Sequence, residues 1–260
     1  MSTPSPGGIF IWYELVTTDS AAALKFYQHV IGWTATAMEG GGIPYTLVGI
    51  HGVQVGGVMQ QTPEMCASGA PPCWLGYIGV ADVDAHTARV KAAGGKVIRA
   101  PEDIPGVGRF SVVTDPHGAC FMMMTPISKE PLPVVAPDAP GHVGWRELLA
   151  ANGEEAFAFY SSMFGWTKTM AMDMGPMGVY QTFATGGDAS VGGMMTKMPE
   201  VPQAFWGFYF TVDALGAAIE RAKGMGAQLL NGPQEVPGGS FIANLMDPQG
   251  AMFSLVSQKS

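Results

Sequence analysis

A long internal repeat limits the folds that are open to this chain of 260 residues. Six short motifs each occur twice, and the second copy follows the first after 132 to 136 residues. The pairs are Trp12–Leu15 with Trp145–Leu148, Phe26–Tyr27 with Phe159–Tyr160, Gly32–Thr34 with Gly165–Thr167, Val55–Gly57 with Val191–Gly193, Pro63–Glu64 with Pro199–Glu200, and Asp115–Ala119 with Asp247–Ala251. The nearly constant spacing predicts two copies of one module in tandem.

A proline-rich stretch separates the two copies. It carries five prolines between Pro126 and Pro140, a composition typical of a stiff, extended linker. We therefore predict the first module at residues 8–127, the linker at 128–140 and the second module at 141–257.

Each module contains a weaker repeat of its own. A strand-like run that ends in Asp or Asn precedes a predicted helix at four places, which are Asp19, Asp82, Asn152 and Asp213. Short alternating runs broken by Gly and Pro follow each helix and predict strands. The pattern indicates an α+β fold made of four βαβββ units, two in each module.

The composition argues against several classes of partner and compartment. The net charge of −8 disfavours binding to nucleic acids and to anionic membranes. The longest apolar runs are strand-sized, well short of the roughly 18 residues that a membrane helix needs. Three cysteines without a C-x-x-C pair fit a reducing compartment. We expect a soluble, cytoplasmic protein.

The repeated motifs resemble the vicinal oxygen chelate superfamily, which includes glyoxalase I, extradiol dioxygenases, fosfomycin-resistance enzymes and bleomycin-binding proteins. The resemblance rests on Trp-x-Glu-Leu followed by Phe-Tyr and Gly-Trp, and on Asp-Pro-x-Gly, each present twice. It covers nearly the whole chain outside the N-terminal residues and the linker, and it points especially to tandem-module members described as glyoxalase-like proteins or hydroxylases. The resemblance implies a cupped, eight-stranded mixed sheet in each module, with helices outside. Function stays open, because the superfamily contains metalloenzymes and metal-free binders.

Metal-using members of the superfamily hold a divalent ion between three strands. The resemblance places their ligands seven residues before the Asp that opens each helix, and seven residues after the Asp of the Asp-Pro-x-Gly turn. In this chain the six positions hold Trp12, Leu75 and Met122 in the first module and Trp145, Trp206 and Ser254 in the second. None of these side chains is a usual ligand for a hard or borderline divalent ion. We expect no metal site and no other cofactor.

The same strands predict what lines the cup, because alternate residues of a strand share one face. The predicted ligand-binding residues are Trp12, Leu75, Tyr77, Met122, Trp145, Trp206, Phe208 and Ser254. Such a cup is aromatic and apolar, which suits a flat or aliphatic ligand. Plain core packing is another interpretation of these aromatic positions, and an interface between the two cups is a third for Trp12 and Trp145.

Glu14 and Glu147 share strand faces with Trp12 and Trp145, and they are the candidate catalytic residues. A carboxylate in an apolar strand is costly unless it is hydrogen-bonded, paired or protonated. One interpretation is a general base that moves a proton next to a carbonyl. The other is a structural carboxylate that binds backbone groups where two strands meet.

The leading expectation is a metal-free protein that binds a small, mostly apolar organic molecule, for sequestration or resistance. The rival is a glyoxalase-, lyase- or hydroxylase-type enzyme that uses Glu14 or Glu147, or a metal held at an unforeseen place. A scaffold for protein interactions is a third interpretation. Two modules in one chain can imitate the dimer of single-module relatives, so a monomer with an internal pseudo-dimer and a homodimer both stay open.

Overall fold

The computed structural model describes residues 8–38, 43–130, 133, 135–136 and 138–260. It confirms the predicted α+β fold, because the described residues form two eight-stranded mixed sheets, each made of two βαβββ units. The longest helices among them have 12 residues, fewer than a helix needs to span a bilayer. Four residues of the predicted linker, 131, 132, 134 and 137, lie outside the described residues, as do 39–42 of the first module. The module boundaries stay predictions.

The first module forms the first sheet. Its strands are β1 (Phe10–Thr17), β2 (Thr34–Met38), β3 (Tyr45–Ile50), β4 (Val53–Gln60), β5 (Cys73–Gly79), β6 (Lys96–Ile104), β7 (Gly108–Thr114) and β8 (Cys120–Pro126). Its helices are α1 (Ser20–Ile31), α2 (Pro63–Ala67) and α3 (Val83–Ala92). The strand order is β2-β3-β4-β1-β5-β8-β7-β6, and β1 pairs with β4 in parallel, as β5 does with β8.

The second module forms the second sheet. Its strands are β9 (Val143–Ala150), β10 (Thr167–Asp173), β11 (Val179–Ala184), β12 (Gly192–Thr196), β13 (Phe205–Thr211), β14 (Gln228–Glu235), β15 (Phe241–Met246) and β16 (Met252–Ser257). Its α-helices are α4 (Gly153–Phe164) and α5 (Leu215–Gly224), and a 3-10 helix covers Gly175–Met177. The strand order β10-β11-β12-β9-β13-β16-β15-β14 repeats that of the first sheet, so the sequence repeat is also a repeat in topology.

The repeated Gly-Trp motif ends the first helix of each module. Gly32 and Gly165 follow α1 and α4 with φ angles of 91° and 72°, a left-handed conformation that glycine adopts without steric cost. Asp19 and Asn152 begin the same helices, because their side chains accept backbone N–H groups of the first turn. The starts of both helices therefore lie where the sequence predicts them.

The last helix starts one residue later than predicted. The sequence favours Asp213 as the residue before α5, but Ala214 occupies the N-cap position and makes no side-chain hydrogen bond there. Asp82 is the N-cap of α3, so its equivalent in the second module is Ala214. Strand positions in the second module must therefore be counted back from Ala214 and not from Asp213. This places each of them one residue later in the chain than predicted.

Contacts divide the chain into two compact units, and each unit takes half of each module. The outer unit, named for its place in the sequence, combines Tyr13–Leu75 and Gly207–Ser260 with the described residues of Pro133–Trp145. The middle unit combines Arg146–Trp206 with the described residues of Met1–Trp12 and Gly76–Leu132. Each unit therefore depends on both copies of the repeat.

In the outer unit, the repeated motifs join the two modules through buried hydrogen bonds. Trp74 Nε1 donates to the Tyr27 hydroxyl at 3.0 Å, and this hydroxyl donates to Asp247 Oδ2 at 3.0 Å. Asp247 Oδ1 also accepts two backbone N–H groups of its own Asp-Pro-x-Gly turn. Trp33 Nε1 donates to the Gly141 carbonyl at 2.7 Å. We call the first chain of bonds the Trp–Tyr–Asp network.

The middle unit contains the same network, built from the other halves of the modules. Trp206 Nε1 donates to the Tyr160 hydroxyl at 2.9 Å, which donates to Asp115 Oδ2 at 3.3 Å. Trp166 Nε1 donates to the Gly8 carbonyl. The motifs that repeat in the sequence are thus the ones that attach a helix of one module to a turn of the other.

Burial changes the acid–base properties of both networks. It raises the pKa of the Asp247 and Asp115 carboxyls, while the tyrosine hydroxyls and backbone N–H groups that donate to them act in the opposite direction. Burial also raises the pKa of Tyr27 and Tyr160 well above the ordinary value. Both phenols therefore stay protonated and serve as hydrogen-bond donors at neutral pH.

Candidate functional site

Each sheet has a proximal face, which packs on helices, and a distal face, which points away from them. Trp74 of β5 and Trp206 of β13 lie on proximal faces, because each donates a hydrogen bond to a helix tyrosine. Successive residues of a strand alternate between faces, so Leu75 and Gly207 lie on distal faces. The residues that are predicted to line a cup should therefore lie on the distal faces.

Six of the eight predicted ligand-binding residues lie on distal faces, namely Trp12, Leu75, Tyr77, Met122, Trp145 and Ser254. Tyr77 and Met122 are direct neighbours on parallel strands and are both buried. Trp12 and Trp145 are half-buried, so part of each indole is accessible. A role of these residues in binding stays a prediction.

Trp206 and Phe208 lie on the proximal face, contrary to the prediction. The indole of Trp206 is hydrogen-bonded to the tyrosine of α4, and Phe208 packs edge-on against Tyr13 with ring centroids 5.2 Å apart. The displaced start of α5 explains the difference, because the predicted register counts from a residue one place too early. Tyr209 is the side chain that lies beside Ser254 on the distal face.

Glu147 belongs to an arrangement of three residues on the distal face of the second sheet. Gly193 lies directly beside Glu147 on the neighbouring parallel strand. The ring of Tyr180 lies over Gly193 and fills the space that a Cβ would need. The Tyr180 hydroxyl donates to Glu147 Oε1 at 3.0 Å. The second glycine of the Val-Gly-Gly motif thus makes room for a tyrosine that holds the carboxylate.

The first sheet has the same three residue types in the same places. Glu14 lies beside Gly57, and the ring of Tyr45 covers Gly57 as Tyr180 covers its counterpart. Only 5% of Glu14 is exposed. The structure therefore brings a carboxylate and a phenol to the same distal position twice, and such a pair can accept and donate protons or hydrogen bonds.

Cys73 lies on the same distal strand face as Leu75. Burial, together with the nearby Glu14 carboxylate, raises the pKa of its thiol to about 11. A thiol with this pKa is almost entirely protonated at neutral pH and is a poor nucleophile. Cys73 is therefore a small, weakly polar residue of the distal face.

The six positions at which metal-using members place their ligands do not suit a divalent ion in this chain. In the corrected register they hold Trp12, Leu75 and Met122, and Trp145, Gly207 and Ser254. Indole, aliphatic and glycine positions offer no side-chain donor, a thioether prefers soft ions, and a lone hydroxyl is a weak ligand. The described residues contain no group of three or more His, Cys, Asp or Glu that could hold a metal.

A row of polar side chains, which the sequence alone does not reveal, crosses the distal face of the second sheet. Its members, on adjacent strands in register, are Tyr209, Ser254, Asn244 and Asn231. Asn244 Nδ2 donates to Ser254 Oγ at 2.8 Å and to the Tyr209 hydroxyl at 3.3 Å. Asn244 Oδ1 accepts from Asn231 at 3.3 Å. The signal in the sequence is a polar residue between two apolar ones in a β-strand, which has meaning only once the strand register is known.

A cavity of about 320 Å³ lies in the middle unit, next to an Asp-Pro-x-Gly turn and helix α4. Asp115, His117 and Glu155 form part of its wall. His117 Nε2 lies 3.0 Å from Glu155 Oε2, so the turn and the helix are also joined here. None of the predicted site residues lines this cavity. The cavity lies beside the Trp–Tyr–Asp network of this unit, because Asp115 belongs to both.

Two relatives match this chain over nearly its full length. CFP32 of Mycobacterium tuberculosis (strain CDC 1551 / Oshkosh), provisionally named a glyoxylase, is 36% identical over 248 residues, which cover 94% of this chain and 93% of that protein. The anthracycline biosynthesis protein DnrV of Streptomyces peucetius is 34% identical over 257 residues, which cover 94% of this chain and 91% of that protein.

Solved structures share the fold at low sequence identity. The Mn(II)-bound glyoxalase from Novosphingobium aromaticivorans has a TM-score of 0.67 and 16% identity, with 99% of this chain and 84% of that chain covered. The 2,3-dioxygenase LapB from Pseudomonas sp. KL28 has a TM-score of 0.67 and 13% identity, with 98% and 93% covered. The model of the Glyoxalase/Bleomycin resistance protein/Dioxygenase superfamily matches residues 9–123 and 140–255. With both modules matched, the chain belongs to this superfamily.

Proposed function

We propose that the protein is a metal-free member of the superfamily that binds a small, mostly apolar organic molecule at the distal face of one or both sheets. The observation that carries the proposal is the set of residues at the six ligand positions, where indole, thioether, aliphatic and hydroxyl groups and one glycine replace imidazole and carboxylate. Flat apolar groups favour contact with rings or chains of carbon over coordination of an ion. The relative named for anthracycline biosynthesis supports an organic ligand.

Metal stoichiometry tests the first half of this proposal. After incubation with Fe, Mn, Ni, Co and Zn and then desalting, we expect the purified chain to retain close to zero ions, because its side chains supply no suitable donor set. Mass spectrometry of the metal content measures this, and a Mn-binding glyoxalase taken through the same steps is the positive control. One or two ions retained per chain would contradict the proposal.

A second candidate function is proton transfer without a metal, and the repeated Glu–Gly–Tyr arrangement favours it. In this function Glu147 or Glu14 accepts a proton from a carbon next to a carbonyl. The neighbouring tyrosine orients the carboxylate through its hydroxyl, as Tyr180 does for Glu147. This chemistry needs only groups that the chain itself supplies.

Deuterium exchange tests this second function. The methyl protons of 2-acetylnaphthalene are next to a carbonyl, and NMR follows their exchange in D2O. If a glutamate is the base, the wild-type chain accelerates the exchange, and the double variant Glu14→Gln/Glu147→Gln slows it by about 100-fold. Glu154→Gln, at an exposed position in the first turn of α4, is the matched control. Equal exchange in wild type and double variant would exclude both glutamates as bases.

A further inference from the structure

The two modules differ along one row of the distal face, although the backbone places equivalent residues in both. In the second module the row is Tyr209, Ser254, Asn244 and Asn231. In the first module the residues in the same register are Tyr77, Met122, Val112 and Arg99. Only the tyrosine is common to both rows. The polar residues Ser254 and Asn244 of the second sheet correspond to the apolar residues Met122 and Val112 of the first.

The two middle positions of the first module's row, Met122 and Val112, are apolar. Met122 is buried, and the ring of Tyr77 lies 6.3 Å from that of Phe110, measured between centroids. The Arg99 guanidinium lies over the other end of this row, 5.1 Å from the centroid of Phe110, and it is paired with Glu102 on its own strand. Between Tyr77 and Arg99, a ligand would contact the side chains of Met122 and Val112, which are not strong hydrogen-bonding groups.

The row of the second module offers hydrogen bonds at the same place. Both N–H groups of the Asn244 amide are used within the row, on Ser254 and on Tyr209. Ser254 is 6% exposed, and the bond recorded for its Oγ in the described part of the chain is the one it accepts from Asn244. A hydroxyl that accepts one bond still has its own proton to donate, and leaving that proton without an acceptor in a buried place is costly.

We propose that the second module recognises a carbonyl oxygen on an otherwise apolar ring system, through the hydroxyl of Ser254 as Asn244 orients it. The first module, with Met122 and Val112 in these places, prefers hydrocarbon. This inference rests on the proposed function and specifies its ligand: the chain distinguishes an oxygenated ring compound from its hydrocarbon analogue in the second module only.

Calorimetric titration with two probes of the same shape tests this inference. The probes are 2-acetylnaphthalene and 2-isopropenylnaphthalene, which differ in whether an oxygen or a CH2 group occupies one position. A single hydrogen bond of ordinary net strength corresponds to about a fivefold lower dissociation constant for the ketone. We expect this preference in the wild-type chain.

The first module supplies the matched variants. Asn244→Val/Ser254→Met gives the second row the residues of the first, and we expect it to remove the preference for the ketone. Val112→Asn/Met122→Ser makes the opposite exchange in the first module and should leave the original preference in place. Ser254→Ala removes the proposed donor with the smallest change in packing, and it serves if the double variant does not fold, as checked by circular dichroism.

Each result bears on a different claim. A ketone preference that disappears in Ser254→Ala or in the double variant supports the inference. Equal binding of the two probes by the wild-type chain overturns the inference and leaves the proposed function standing. So does a ketone preference that survives in both Ser254→Ala and Asn244→Val/Ser254→Met. Failure of both probes to bind at their solubility limits overturns the proposed function and the inference together.

Discussion

Tyr27→Phe is expected to lower the free energy of unfolding by about 2 to 4 kcal/mol, because one hydroxyl serves two buried groups. The lost oxygen accepts from Trp74 Nε1 and donates to Asp247 Oδ2, both at 3.0 Å. Without it, an indole N–H and a carboxylate oxygen lose their partners in a place that water does not reach. Chemical denaturation of wild type and variant at pH 7 measures the difference.

The loss should depend on pH in a defined direction. The pKa of Asp247 is raised by burial, and the hydrogen bond from Tyr27 is one of the interactions that lower it. Removing that donor raises the folded-state pKa further, so the folded variant binds a proton more readily than the wild type. The loss of unfolding free energy in Tyr27→Phe is therefore largest at pH values above the folded-state pKa of Asp247. It becomes smaller as the pH falls through that pKa.

Two further variants test whether the Trp–Tyr–Asp network is the cause. Tyr160→Phe removes the equivalent hydroxyl in the middle unit and should have a similar cost. Tyr180→Phe also removes a phenol hydroxyl, but it breaks a half-buried bond to Glu147, for which we expect a loss of about 1 kcal/mol. A Tyr27→Phe penalty no larger than that of Tyr180→Phe would contradict this account.

Gly192→Ala is the second change with a large expected effect, a loss of about 3 kcal/mol or more. A Cβ at this position would overlap the backbone carbonyl oxygen of Arg146 on the adjacent strand and would lie 2.6 Å from the ring of Phe183. Since a backbone oxygen inside a sheet cannot move aside, β12 and β9 would have to separate. Chemical denaturation measures the loss.

The neighbouring glycine provides the control, because the same substitution meets a different obstacle there. At Gly193 the added Cβ would overlap the ring of Tyr180, which is the end of a side chain and can rotate away. We expect Gly193→Ala to keep the fold, at a cost of about 1 kcal/mol, and to break the hydrogen bond from Tyr180 to Glu147. Equal losses of stability in the two variants would contradict the distinction between the two glycines.

The sequence predicts the architecture well, because hydrophobic periodicity and repeated motifs are local signals. Gly32, Gly165, Asp19 and Asn152 lie at the helix ends where their chemistry favours them. The start of α5 is less predictable, since Asp213 is a good capping residue by type while the backbone places Ala214 at the cap. That single residue is enough to transfer Trp206 and Phe208 to the other face of the sheet.

The candidate site is predictable only in part, because its partners are far apart in the chain. Glu14 and Glu147 are visible in the sequence as acids in apolar strands. Their tyrosines are not, since Tyr180 reaches Glu147 across Gly193, and Tyr45 covers Gly57, which lies beside Glu14. The row around Asn244 is hidden for the same reason, because its hydrogen bonds follow the register of four strands.

The division of each compact unit between the two modules has a consequence for how such a chain can evolve. In a homodimer of single modules, every substitution appears twice, so both binding faces must change together. Here the two copies are encoded separately while each unit still needs both, as the Tyr27–Asp247 and Tyr160–Asp115 bonds show. A substitution in one module therefore leaves the other unchanged, so the distal faces of the two sheets can diverge separately and can be re-engineered one at a time.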